Sequence, residues 1–419
     1  MLSVEWRMRN NHLSISLFLV TLLLGCSQSA VENAPYIDAR VPNLSTPNPA
    51  EGISPQRQWF VTGKEVPALA GVDALFQAFM QANGVRAGEL AILKNGRLKF
   101  ARAYTWAEPG YRIVQPADPF RLASCSKMFL EEAVQSLYDA GKLTPDTKVY
   151  PLLGFSEPQD PLSDLITLQQ LLDHMGGYDQ AASGFDPVFN MRQIAKNLGM
   201  ARAVTKQDIA TYMYKNTRLD HPPGAQYAYS NYGYLLAGMA VEKASGLSFM
   251  DYVNQKVLQP AGLAPMHLSP TAQGSQALGE PPYEDTGSGV SALDPTSDLM
   301  VPAPYGGDQL LYEVADACSG IACTAVELAK FIHLYKVWGN GTRDQWKLAP
   351  RQYYDREGSM PGTFSWAESR GDGVDWVFVF NTRNFLDKSD PLYQMGNSVD
   401  DPDQGFQKQV DQLLNSLEL

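Results

Sequence analysis

Two hairpins lie near opposite ends of this chain, and together they limit the folds open to it. In "ELAILKNGRLKFARAYTW" (89–106), two alternating apolar runs flank Asn95-Gly96, the dipeptide that most strongly signals a two-residue hairpin turn. Near the other end, "GTFSWAES" (362–369) and "GVDWVFVFNTR" (373–383) read as two strands joined at "RGDG". Between the hairpins the pattern turns helical. "TKQDIATYMYKNT" (205–217), "NYGYLLAGMAVEKASG" (231–246), "SFMDYVNQKVLQPAG" (248–262) and "AVELAKFIHLYKVWG" (325–339) are helix candidates, and glycine stands at the end of several. Helices are also expected over 71–84, from the spacing of Leu75, Phe76 and Phe79, and over the amphipathic 406–417. Strands at both ends and helices in the middle predict an α+β fold. One antiparallel sheet is built from both termini and flanked by helices, and a mostly helical second lobe is inserted between them. The cleft between such lobes is the default place for a site.

The first residues follow a different logic. Arg7 and Arg9 precede "LSISLFLVTLLLG", an apolar run too short for a confident membrane span, and the run stops at Cys26. The "LLGC" ending resembles a bacterial lipobox, which implies a leader over 1–25 and a lipid on Cys26. Ser27 rather than Asp after that cysteine points to an outer-membrane anchor facing the periplasm of the bacterial envelope. Pro, Asn and Ser then dominate, so residues 26–65 read as a flexible tether to a domain spanning 66–419. Export implies an oxidising compartment, where Cys125, Cys318 and Cys323 are an odd set, with at least one unpaired or intermolecular. Hydrophobic residues make up 44% of the chain, enough for a globular core. A formal charge of −12 without a basic run argues against nucleic acid as a partner. No zinc-like spacing and no HExxH occur, so neither metal nor cofactor is implied.

The chemistry concentrates in "FRLASCSKMF" (120–129), where Ser124 and Lys127 stand three residues apart. At a helix start that spacing puts both on one face, close to backbone N–H groups that favour developing negative charge. A lysine partly removed from water there can take the serine proton. S-x-x-K is the nucleophile motif of β-lactamases and penicillin-binding proteins. No G-x-S-x-G is present, which excludes the α/β-hydrolase arrangement.

The segment resembles the nucleophile region of the serine β-lactamase-like superfamily: class C β-lactamases, low-molecular-weight penicillin-binding proteins and related carboxylesterases. The resemblance continues in order through "AGKLTPDTKVYPLL", "LLDHMGGY" (171–178), "PPGAQYAYSNYGYLLAG" (222–238) and "SGIACTAVELAKF" (319–331), over roughly 70–415. It implies a second motif, Tyr-x-Asn, for which three candidates exist: Tyr214–Asn216, Tyr229–Asn231 and Tyr252–Asn254. Tyr229 stands in a loop just before an apolar helix, where the family places it, whereas the other two fall inside helical patterns. Tyr229 would then shuttle protons to the leaving group, and Asn231 would hold Lys127 and donate to an acyl-side carbonyl.

The family's third motif, Lys or His followed by any residue and Gly, is altered. Aligning "REGSMPG" with that strand puts Arg356 at the basic position, Gly358 at the glycine and the Ser359 N–H beside that of Ser124 as an oxyanion hole. Arg356 keeps the positive charge, without a proton to pass on, and would bind a substrate carboxylate. His174 reads as a hydrogen-bonded loop residue rather than a base, and Cys125 as a small buried side chain. These residues imply a serine hydrolase acting through an acyl-enzyme on an ester, a D-Ala-D-Ala-like peptide or a peptidoglycan-like substrate. A carboxylesterase or DD-peptidase-like hydrolase comes first. The alternatives are a β-lactamase, weakened by the missing Lys-Thr-Gly, and a catalytically weak cell-wall-binding lipoprotein.

Overall fold

The computed structural model describes residues 53–336, 353–386, 405–417 and 419, all within the compact unit Tyr36–Leu419. The leader, the lipobox Cys26 and the tether up to residue 52 lie outside the described residues. In chain order the main elements are β1 (Gln58–Thr62), α1 (Ala70–Asn83), β2 (Ala87–Lys94), β3 (Arg97–Ala107), α2 (Lys127–Asp139), α3 (Lys206–Asn216), α4 (Asn231–Ser245), α5 (Ala325–Tyr335), β4 (Tyr353–Met360), β5 (Thr363–Arg370), β6 (Val374–Phe380) and α6 (Phe406–Asn415).

The six strands form one antiparallel sheet in the order β1-β3-β2-β6-β5-β4. Its central seam is β2 against β6, with Ala91 opposite Val377, so the two hairpins meet side by side. At the first turn Asn95 and Gly96 have φ of 51° and 74°, the left-handed pair that lets a two-residue loop follow the strand twist. The period of two sorts the side chains onto two buried faces. Trp376, Phe378 and Phe380 of β6 turn to α1 and α6, where Phe76, Phe79 and Phe406 close an aromatic cluster. Val377 and Val379 turn to the opposite face, in the core shared with α2, α4 and α5, where Phe129 and Phe331 lie 4.2 Å apart. The apolar aromatic side anchors the sheet, and the other side carries the helical region that holds the site.

Two expectations are corrected. Residues 58–62, expected in the tether, are the edge strand β1; "QWFVT" is apolar enough to pair with β3, and Trp59 stacks on Trp106 at 5.7 Å. The helix expected over 248–262 breaks into an α turn Phe249–Tyr252, a π turn Val253–Leu258 and a 3₁₀ turn Gln259–Ala261. Pro260 explains the last break, because it has no N–H to continue the ladder. The helix over 325–339 runs to Tyr335, and residues 337–352 lie outside the described ones. A second small sheet pairs Ile321–Cys323 with Phe120–Arg121 and with His267–Leu268, tying the approach to Ser124 to the helical region.

Candidate active site

Ser124 stands not in a helix but one turn ahead of it, in the 3₁₀ turn Ala123–Ser126 that runs into α2. Ala123 has a φ of 47°, a strained value for a residue with a side chain. The surroundings hold it there. Thr363 Oγ1 donates to Arg121 O at 2.8 Å and Ser365 Oγ to Leu122 O at 2.6 Å, both from β5. Leu122 N donates to Ile321 O at 2.9 Å, and Ile321 N donates to Ser126 Oγ at 3.2 Å. Strain fixed from two sides in this way is how a chain aims a side chain into a cleft.

Lys127 is fully buried and its ammonium has three acceptors: Ser124 Oγ at 3.0 Å, Asn231 Oδ1 at 2.9 Å and Cys318 O at 2.9 Å. Three acceptors match the three hydrogens of the group, which satisfies a charge buried without a carboxylate in contact. Tyr229 OH lies 2.8 Å from Ser124 Oγ, and its ring centroid is 5.0 Å from Lys127 Nζ. Ser230 caps α4 by accepting from Gly233 N, so Asn231 opens the helix directly below Lys127. Of the three Tyr-x-Asn candidates, only this one reaches Ser124. Tyr214 OH donates to Asp164, and Tyr252 OH is 2.8 Å from Ser136 Oγ, both packing roles.

Around this quartet lies a second ring, in which His174 and Arg356 were visible in the sequence and Asp186, Glu131 and Tyr234 were not. Asn231 Nδ2 donates to Asp186 Oδ2 at 2.9 Å, so at least one of its hydrogens is not aimed at substrate. Glu131, one helical turn after Lys127 on α2, accepts from Tyr234 OH at 2.7 Å and from Arg356 Nη1 at 3.1 Å. Its i,i+4 spacing from Lys127 was the available signal. His174, with a φ of 55°, accepts from Ser230 N at 3.1 Å, and its ring centroid lies 4.4 Å from that of Tyr229. Burial, then the charges of Lys127 and Arg356, push the imidazole down to about 2, so it is a neutral support for the Tyr229 loop.

Arg356 has a partner within the protein, Glu131. Its side chain is only 13% exposed and is paired with Glu131, so its charge is already neutralised and not held free for a substrate carboxylate. Burial alone would lower its guanidinium, but Glu131, Tyr234 and Tyr229 outweigh that and move it up. Gly358 does stand where a small residue is needed. A Cβ there would overlap the Leu122 carbonyl oxygen and the Ser365 hydroxyl, and would stand 3.0 Å from Cys125 N. The edge strand β4 therefore lies directly on the turn that carries Ser124, with the exposed Ser359 next along it, opposite Phe364 of β5.

Cys125, Cys318 and Cys323 are all buried and free, and burial pushes the Cys125 thiol up to about 12. It is the Cys318 carbonyl, not its thiol, that enters the site. Beyond Tyr229 a cavity of about 210 Å³ opens, walled by Tyr178, Phe185, Asp186, Tyr212 and Arg218. Ser124 does not line it, but Tyr229, whose hydroxyl meets Ser124, does.

Comparison with known proteins follows the same residues. The sequence pattern of the Beta-lactamase family matches 72–384. The chain is 28% identical over 273 residues to a putative D-alanyl-D-alanine carboxypeptidase of Escherichia coli O157:H7, covering 62% of this chain and 56% of that one. It is 33% identical over 164 residues to the probable fimbrial assembly protein FimD, serogroup H1, of Dichelobacter nodosus, covering 38% of each. The matches thus span about half or less of these relatives' own length. Among solved structures, the octameric penicillin-binding protein homologue from Pyrococcus abyssi superposes with a TM-score of 0.55 at 16% identity, over 76% of this chain and 74% of that one.

Proposed function

Because the chain belongs to the Beta-lactamase family, we propose that it is a serine hydrolase working through an acyl-enzyme on Ser124. One observation carries the reading: Ser124 Oγ is in simultaneous hydrogen-bond reach of Lys127 Nζ, at 3.0 Å, and Tyr229 OH, at 2.8 Å. As Oγ bonds to the substrate carbonyl carbon, its proton passes to the oxygen of Tyr229, acting in its ionised form, while the Lys127 ammonium keeps its three hydrogens on Ser124, Asn231 and Cys318. The carbonyl electrons move onto oxygen, held by the N–H groups of Ser124 and Ser359. The tetrahedral species collapses, the leaving group takes a proton from the Tyr229–Lys127 pair, and water repeats the sequence in reverse to free the acid. Lys127, tied to Asn231 and Cys318, keeps its place through both halves.

The substrate is an ester or a peptide-like amide that does not depend on a carboxylate being read at the third motif. Two features support this choice: the absent Lys-Thr-Gly, and the Glu131 carboxylate that already holds Arg356. The cavity beyond Tyr229, with its aromatic walls, suits a bulky group on the acyl side. The protein acts at the cell envelope, anchored through lipid on Cys26. Turnover of short acyl esters, nitrocefin and a D-Ala-D-Ala peptide tests the assignment. Hydrolysis of esters or the peptide, lost in Ser124→Ala, is the expected result. Nitrocefin as the preferred substrate would replace it with a β-lactamase, and no turnover of any of the three would favour a binding protein.

A further inference from the structure

Asp186 touches neither Ser124 nor Lys127, yet it sets the direction in which Asn231 meets the lysine. An asparagine side chain can face a neighbour with its oxygen or with its NH₂ group, and the two orientations occupy the same volume. Lys127 Nζ can only donate, so it needs the oxygen, and Asn231 Oδ1 stands 2.9 Å from it. Nothing in Asn231 itself enforces that choice. Asp186 enforces it: an ionised carboxylate can only accept, and its Oδ2 takes the hydrogen of Asn231 Nδ2 at 2.9 Å. The other oxygen, Oδ1, accepts from Val188 N at 2.9 Å, which fixes the carboxylate on the turn Pro187–Phe189. Asp186 is 5% exposed, on the wall of the cavity beyond Tyr229. Burial pushes its carboxyl upward, opposed by the Asn231 and Val188 hydrogen bonds and by the charge of Lys127.

We propose that Asp186 is the positioning residue that locks the Asn231 amide with its oxygen toward Lys127, so that the lysine stays aimed at Ser124. This rests on the serine-hydrolase reading for its kinetic consequences, but the geometric lock is independent of it. The polarity runs along one line: backbone N–H of Val188 to carboxylate, carboxylate to amide NH₂, amide oxygen to ammonium, ammonium to the nucleophile oxygen.

Asp186→Asn tests the lock with little change of shape. Its oxygen can still accept from Val188 N, which leaves its NH₂ facing the NH₂ of Asn231. One of the two amides must turn, and if Asn231 turns it presents hydrogens to the ammonium. The expected loss is about ten- to hundredfold in kcat on a p-nitrophenyl acyl ester, the scale of a hydrogen bond to a charged group, with KM changed by less than about twofold. Asp186→Ala should cost little more once Asn231→Ala is already present, because Asp186 acts through that amide. The exchange variant Asp186→Asn plus Asn231→Asp restores donor facing acceptor along the whole line and should recover about tenfold over Asp186→Asn. A crystal structure of Asp186→Asn should show Lys127 Nζ drawn away from residue 231 or the Asn231 side chain displaced. Equal losses for Asp186→Ala with and without Asn231, or no recovery in the exchange variant, would overturn the proposal, as would an undisturbed Lys127–Asn231 contact in the crystal. If the wild-type protein turns over no ester, the hydrolase reading fails, and the crystal structure still decides whether the lock exists.

Discussion

Replacing Arg356 by alanine should damage stability more than substrate choice. Its guanidinium meets Glu131 at 3.1 Å, and the two side chains are 13% and 6% exposed. Removing one partner of a buried pair leaves the other uncompensated, at about 3–5 kcal/mol. Glu131 would keep the Tyr234 hydroxyl as a donor, which places the loss toward the lower end of that range. Burial already pushes the Glu131 carboxyl upward, and loss of Arg356 pushes it further. Below its folded pKa the carboxyl takes a proton and no longer needs the cation, so the defect should narrow as pH falls. Arg356→Met plus Glu131→Gln should recover most of the loss, since the amide oxygen still accepts from Tyr234 and no charge is left buried. The assay is urea unfolding of the three proteins at two pH values, with kcat/KM on an acid-bearing ester and on its methyl ester. Equal kinetic losses on the two esters are expected. Unchanged stability together with a loss confined to the acid-bearing ester would refute the reasoning, because it would mean that Arg356 leaves Glu131 to hold the substrate.

Three further outcomes are expected. Gly358→Ala should push β4 off the nucleophile turn, lowering stability by about 1–3 kcal/mol and lowering kcat, both measurable on the purified variant; unchanged kinetics would mean that the strand edge can shift without consequence. Asp308 has an oxygen that is buried without a hydrogen-bond partner, and burial raises its carboxyl from 3.8 to about 6. A raised acid stabilises the fold fully below its unfolded pKa and loses that contribution as pH rises toward 6, so Asp308→Asn should remove up to about 3 kcal/mol of pH-dependent stability between pH 4 and 7, read from urea midpoints. Cys26→Ser should move the protein from the membrane to the soluble fraction with an unaltered unfolding curve; unchanged partition would count against the lipid anchor.

The sheet was legible because its signals are local: Asn95-Gly96 and the alternating "VDWVFVF" specify turns and faces without help from the rest of the chain. The edge strand β1 was not, since five residues after a Pro-rich stretch declare themselves only through pairing with β3. The segment 248–262 was misread for the opposite reason. Its helical composition is real, but Pro260 and local packing divide it into three turn types. In the site, Ser124 and Lys127 could be read from their spacing, and Tyr229 from its place before an apolar helix. Asp186 could not be read in the same way, because its partner lies 45 residues away, and the i,i+4 spacing of Glu131 from Lys127 does not reveal the Arg356 partner 225 residues away. Arg356 was placed on the right strand, but its charge balance was invisible, since the neutralising carboxylate sits on α2.

The most direct test of the account is intact-mass and peptide mass spectrometry after a fluorophosphonate probe is added to the wild-type protein and to Ser124→Ala, Lys127→Ala and Tyr229→Phe. One adduct per chain, carried by the peptide that contains Ser124, is the predicted result. Ser124→Ala should take none, Lys127→Ala should label far more slowly, and Tyr229→Phe should fall between them and the wild type. An adduct on another residue, or a wild-type chain that takes no probe while folded, would contradict the claim that Ser124 is an activated nucleophile.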